Sequence, residues 1–398
     1  MNFSNIKIVI FFLLIWEFNP AISQTISSTK GSEAFPVEIC SSDTKDSLLK
    51  LNKPLILNQS KKIGEITECA LDWPIQKNTT HEIAFDYRNA AFYVVGNQED
   101  HLARINLDGK IQYFPMPAGS HPHGLAFDKQ GRLWVSLEAA GVIVRLDNDG
   151  KIMQSIDVNI YPNGVDAPIN PVPHAIAFGP DGETIWFTGK NTSTIGVISP
   201  NGQVKHLPLK TTASTPIYIA LGPDGNMWGT ELVGNHIFQA RSDGTVSEYT
   251  IPTKNSRPIA IVRGPDGDSM WFSEEAGRKL ARINMKGEIV EYPIPSAGGD
   301  HALLAGLAFD RAGNLWTQMY TANSTHNGEV DYIVKIDKSI ANAPEDDISG
   351  LPISYYRTPS QGTMMHRIVL GSDGNMWFTE MHGGRIGRIN TGIPLKGN

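Results

Sequence analysis

Histidines recur at one place in a phrase that this 398-residue chain repeats. His81, His123, His174 and His366 each open a short apolar run, as in His123-Gly124-Leu125-Ala126-Phe127 and His174-Ala175-Ile176-Ala177-Phe178. The whole chain has 11 histidines, so four at equivalent positions exceed chance. Imidazole titrates near neutrality and ligates metals, so such a row suits proton transfer or cation binding. A second reading stays open, in which each ring hydrogen-bonds a backbone carbonyl of the neighbouring repeat. Glutamates recur as well. Glu138, Glu231, Glu274 and Glu380 follow the aromatic residue of their repeats, and His382 comes soon after Glu380. For Glu231, Glu274 and Glu275 the plainer role is solvation or pairing with an Arg or Lys of the third strand, as Glu380 could pair with Arg385. The densest place is His121-Pro122-His123 together with Glu138. If that segment is extended, His121 and His123 point the same way. One can then contact a metal or substrate while the other takes a proton. Imidazole with carboxylate suits Mg²⁺, Mn²⁺ or Zn²⁺, and two protein ligands completed by water make a weak, open site of the Mg²⁺ kind.

These residues need a scaffold that brings distant repeats together. Tyr93, Trp134, Trp186, Trp228, Trp271, Trp316 and Trp377 mark seven copies, spaced by 41, 52, 42, 43, 45 and 61 residues. Each copy reads as four short strands punctuated by acid-Gly turns such as Pro223-Asp224-Gly225-Asn226. A period of about 40–45 residues with four strands is the signature of a propeller blade. The sequence therefore predicts an all-β, seven-bladed β-propeller of four-stranded blades. The last copy lacks room for a fourth strand, and Gly64-Glu65-Ile66-Thr67-Glu68 resembles the missing one. An N-terminal strand is expected to close the ring, which removes two exposed strand edges. In such a ring the innermost strand starts, and the second strand ends, at one face. The histidines and glutamates would meet at that mouth of the channel.

Residues 1–23 read as a signal peptide: Lys7, an apolar run from Ile8 to Trp16, then Ala21-Ile22-Ser23. Nine apolar residues are too few to span a bilayer, which needs about 20. The expected organisation is 1–23 signal peptide, 24–63 N-terminal extension and 64–398 propeller, secreted or periplasmic and free of the membrane once cleaved. Cys40 and Cys69 are the only cysteines, which excludes cysteine zinc clusters and iron–sulfur sites. In an oxidising compartment they could pair as a staple. A net charge of −7 gives no basic footprint for nucleic acid. The expected partner is a small molecule, and the expected state a monomer.

The phrase Trp377-Phe378-Thr379-Glu380 through Ile386-Gly387-Arg388-Ile389, the Pro-His-Ala/Gly openings and the Glu-Tyr-x-Ile-Pro blade endings resemble the streptogramin B (virginiamycin B) lyases over roughly residues 64–392. That resemblance implies opening of a cyclic depsipeptide without water. A histidine takes the proton beside a carbonyl, a carboxylate leaves, and Mg²⁺ held by two glutamates stabilises the charge. The family carries this site on its last blade. Here that blade reads Met364-Met365-His366, with Met381 four residues after Trp377. The second blade matches better by residue type. The resemblance thus implies His123 as base, His121 and Glu138 as ligands of Mg²⁺ or Mn²⁺, and His81 as substrate contact. His174 and His366 are further substrate-binding candidates, with Glu380 and His382 secondary. A metal-dependent lactonase and a non-catalytic propeller binding a glycan or protein are the competing functions. Neither a nucleophile-elbow Gly-x-Ser-x-Gly nor a phosphate loop is present.

Overall fold

Acid-Gly turns and buried tryptophans build each blade. In four blades the indole N–H donates to the turn aspartate: Trp134 to Asp128 at 3.0 Å, Trp228 to Asp224 at 3.0 Å, Trp316 to Asp310 at 2.8 Å and Trp377 to Asp373 at 3.2 Å. The turn glycine behind the aspartate takes a positive φ, 78° at both Gly225 and Gly374, which side chains resist. Turn and core are thus fixed by one residue pair. The tryptophans then pack between neighbouring blades, with Trp228, Trp271 and Trp316 fully buried. Close approach inside a blade has its own device. A Cβ on Gly387 would lie 2.0 Å from the Phe378 ring, so only glycine fits there.

The computed structural model describes residues 62–164, 166–297, 301–321 and 330–393, and the backbone of strand Glu38–Cys40. The expected signal peptide and most of the expected extension lie outside the described residues. Seven antiparallel sheets are present. Blade one comprises Ile83–Asp86, Ala91–Gly96, His101–Asn106 and Ile111–Pro115. The inner strands of blades two to seven are Pro122–Phe127, Pro173–Phe178, Pro216–Leu221, Pro258–Arg263, Ala302–Phe309 and Met365–Leu370. Each inner strand contacts the next, and Met365–Leu370 contacts Ile83–Asp86, so the ring is closed. Among the described residues, helix is confined to two short 3-10 turns, Asn97–Glu99 and Lys338–Asn342. No helix among the described residues is long and apolar enough to cross a membrane.

Blade seven has the order expected of ring closure. Its inner three strands come from the C-terminal end, and Ile66–Leu71 pairs antiparallel with Arg385–Ile389. One strand was not anticipated. Glu38–Cys40 pairs parallel with the outside of Ile66–Leu71. Cys69 lies in that closing strand and is disulfide-bonded.

Candidate active site at the channel mouth

Five of the inner strands begin the same way. In blades two to five and seven a residue at positive φ precedes the inner strand: His121 at 51°, Val172 at 56°, Thr215 at 55°, Arg257 at 55° and Met364 at 50°. A register shift follows the strand's first residue, for example between Pro122 and Leu125 and between Met365 and Ile368. Such a bulge re-aims one side chain. In blades two, three and seven that side chain is histidine. A hydroxyl on the second strand clasps each bulge. Ser136 Oγ accepts from Gly124 N–H at 2.7 Å and donates to the His174 carbonyl at 2.8 Å. Thr379 Oγ1 likewise accepts from Arg367 N–H at 3.0 Å and donates to the His81 carbonyl at 2.7 Å. Each clasp ties a histidine-bearing strand to the next blade.

The result is a file of four imidazoles from four consecutive blades. His366, His81, His123 and His174 follow one another with ring centroids 3.8, 4.3 and 3.6 Å apart. Ile217 and Ile259 hold the equivalent position in blades four and five, so the other side of the mouth is apolar. Beneath the histidines the channel is crossed by charge. Glu82 and Arg367 are bound twice, Nε to Oε2 at 2.9 Å and Nη2 to Oε1 at 2.8 Å. The Arg367 guanidinium lies 4.7 Å from the centre of the Tyr218 ring, which reaches in from blade four.

The electrostatics follow from burial. Burial alone would raise the Glu82 carboxyl, but Arg367, His366 and His81 together hold it well below the usual carboxylate range. Burial, reinforced by neighbouring positive charge, keeps His123, His174 and His366 neutral far below their ordinary value. His123 Nδ1 lies 3.2 Å from the His174 carbonyl oxygen. A carbonyl can only accept, so Nδ1 carries the proton and Nε2 the lone pair. That Nε2 is buried with no hydrogen-bond partner. His123 thus anchors a backbone carbonyl through one nitrogen while the other is left unpaired. His174 Nδ1 is bonded to Glu138 Oε1, and Lys190 Nζ stands 3.7 Å from the same oxygen.

Two groups of side chains here bring possible ligand atoms within 4.8 Å of one another: His81, Glu82, His123 and His366, and His123, Glu138 and His174. His121 joins neither among the described residues. Its positive φ breaks the extended path, its side chain is exposed, and its N–H binds Asp100 at 2.9 Å. Glu380 is fully buried within blade seven, beside Glu68 and Arg385. His382 is exposed and bonds through its backbone to Thr363. Glu82, Arg367, Tyr218 and Lys190 escaped the sequence reading. A signal existed for the first three. The residue after the opening position is Gly124, Ala175, Ala260 or Gly306 in four blades, and Glu82, Arg367 and Tyr218 are the exceptions, two of them charged.

This scaffold has known relatives. The sequence pattern of the virginiamycin B lyase family matches residues 164–342. A virginiamycin B lyase of Nocardia farcinica (strain IFM 10152) is 30% identical over 187 residues, 47% of this chain. The match spans 60% of that relative's length. A solved streptogramin B lyase superposes with a TM-score of 0.68 at 25% identity, covering 82% of this chain and 97% of its own. The Staphylococcus aureus virginiamycin B lyase does so at 0.67 and 28%, covering 82% and 99%. The chain is a seven-bladed propeller similar to the virginiamycin B lyases. The likeness extends to nearly the whole of those two solved chains. With its imidazoles on blades seven, one, two and three, this propeller has its candidate chemistry on one side of the mouth.

Proposed function

We propose that the channel mouth is the active site of a carbon–oxygen lyase that opens a cyclic ester. One observation carries this reading: His123 is neutral, its Nδ1 is tied to a carbonyl, and its Nε2 lone pair is buried and unpartnered. Such a nitrogen can take a proton from the carbon beside a carbonyl. A carbon–carbon double bond then forms as the neighbouring carbon–oxygen bond breaks, and the ring carboxylate leaves. His123 is only 1% exposed, and a base shielded from water favours removing a proton from carbon over activating water. His81 and His366 keep part of their surface open and would hold the substrate's polar side, while Ile217 and Ile259 receive an apolar side. Lys190 supplies a fixed positive charge near Glu138.

A divalent cation fits this donor set. Glu138 and His174 would hold it, and one carboxylate among imidazoles suits Mn²⁺ better than the oxygen-seeking Mg²⁺. When bound it would stabilise negative charge on the substrate carbonyl oxygen. We place the activity outside the cytoplasm, in a monomer. The apolar run at 8–16 and the disulfide at Cys69 support the compartment.

A structure of a catalytically inactive variant of the S. aureus relative carries quinupristin, at 27% identity to this chain. That compound is therefore the first substrate to try. Elimination gives an opened product of unchanged mass, whereas a lactonase gives one heavier by a water. The expected result is unchanged mass, lost by about 10²–10⁴-fold in His123→Ala. A product heavier by a water would replace the lyase with a hydrolase. No turnover of cyclic depsipeptides or lactones by the folded protein would leave a binding propeller.

A further inference from the structure

Away from the channel, three blades repeat a pair of carboxyl groups within the sheet. In blade five Glu274 pairs with Lys279 across the second and third strands, and Glu291 lies two residues along from Pro293, the partner of Lys279 on the fourth. Residues directly opposite, and residues two apart, share a face of a sheet. The trio Glu274, Lys279 and Glu291 therefore converges. Blade seven repeats it as Glu380, Arg385 and Glu68. Blade four repeats it as Glu231, His236 and Glu248.

The middle residue differs in a telling way. In blade five it is a permanent cation, with Lys279 Nζ 2.8 Å from Glu291 Oε2. In blade seven it is an arginine. In blade four it is an imidazole, which carries no fixed charge but can ligate. The possible ligand atoms of Glu231, His236 and Glu248 lie within 4.8 Å of one another. Glu231 is fully buried. Its carboxyl oxygens and His236 Nδ1 are buried without a close hydrogen-bond partner, the Ser214 hydroxyl being the donor beside Glu231. Buried carboxyl groups without a counter-ion are costly, and the two sister blades supply one. Burial and the neighbouring Glu248 push the Glu231 carboxyl up to about 8, so it holds a proton near neutrality.

We propose that Glu231, His236 and Glu248 bind a divalent transition-metal cation, with Zn²⁺ matching one imidazole and two carboxylates. The ion takes the place that Lys279 and Arg385 fill in the sister blades. It displaces the Glu231 proton and ties together the second, third and fourth strands of blade four. Its role is structural and separate from the channel chemistry.

The full chain, stripped with a chelator and titrated with Zn²⁺ alone, tests this. The informative variant is His236→Lys, which rebuilds the trio of blade five. It should retain one zinc fewer per chain after gel filtration. It should also lose part of the zinc-induced rise in Tm, while its metal-free Tm stays at or above that of the parent. Glu231→Gln, nearly isosteric, should lose the same equivalent of zinc. Any zinc bound at the channel cancels in these differences, so the result stands apart from the lyase reading. Equal zinc content and an equal Tm rise in the parent and both variants, all natively folded, would overturn the proposal.

Discussion

The Glu82–Arg367 pair shows what a single buried charge demands. Each side chain would be intolerable at its depth without the other. Glu82→Gln alone should destabilise by about 3–5 kcal/mol, because it strands the guanidinium. Glu82→Gln/Arg367→Met should cost clearly less than the two single changes added together. Urea unfolding of the four proteins measures the difference, and strict additivity would show that the pair is not coupled. The histidines were legible in the sequence because the repeat aligned them. Glu82, Arg367 and Tyr218 were visible as large or charged exceptions in an otherwise small column, but their partnership was not. Glu82 and Arg367 lie 285 residues apart, and only closure of the ring makes them neighbours. Lys190 gave no signal, since it stands outside that column.

At the scale of the strand, the blades were legible because their tryptophans, turn aspartates and glycines are one mechanical unit, bonded alike in four blades and varied in the others. The aim of individual side chains was not. An alternating strand would point His121 and His123 the same way, but the positive φ at His121 and the bulge after Pro122 undo that alternation. The hydroxyl clasps decide the aim instead. Thr379→Val keeps the shape of the side chain but leaves the Arg367 N–H and the His81 carbonyl without this partner. It should cost about 1–3 kcal/mol in chemical denaturation. If the hydroxyl positions His81, the variant should also weaken substrate binding more than its lost stability explains. A Thr379→Val protein as stable as the parent would show that the clasp contributes nothing.

For the whole molecule, buried titratable groups set how stability depends on pH. His123, His174 and His366 stay neutral in the fold, while an unfolded chain protonates them below about 6.5. They remove stability as pH falls from there. Glu231 and Glu274 bind protons up to about 8 in the fold, against a usual 4.5. The stability they confer is present below 4.5 and is lost as pH rises through 8. Between about 4.5 and 6.5 the two sets oppose each other. Metal-free protein should therefore show a plateau of Tm in that interval and a decline on either side. A Tm that climbs steadily to pH 8 would contradict this balance. Ring closure also puts the order of synthesis to work. The strand Ile66–Leu71 leaves the ribosome before every blade, yet its partner Arg385–Ile389 follows all six other blades. Six blades can assemble while the seventh has only its outer edge. The nascent chain thus cannot commit to a circle until the seventh blade has been made, and a product terminated before it keeps a gap where the ring should meet.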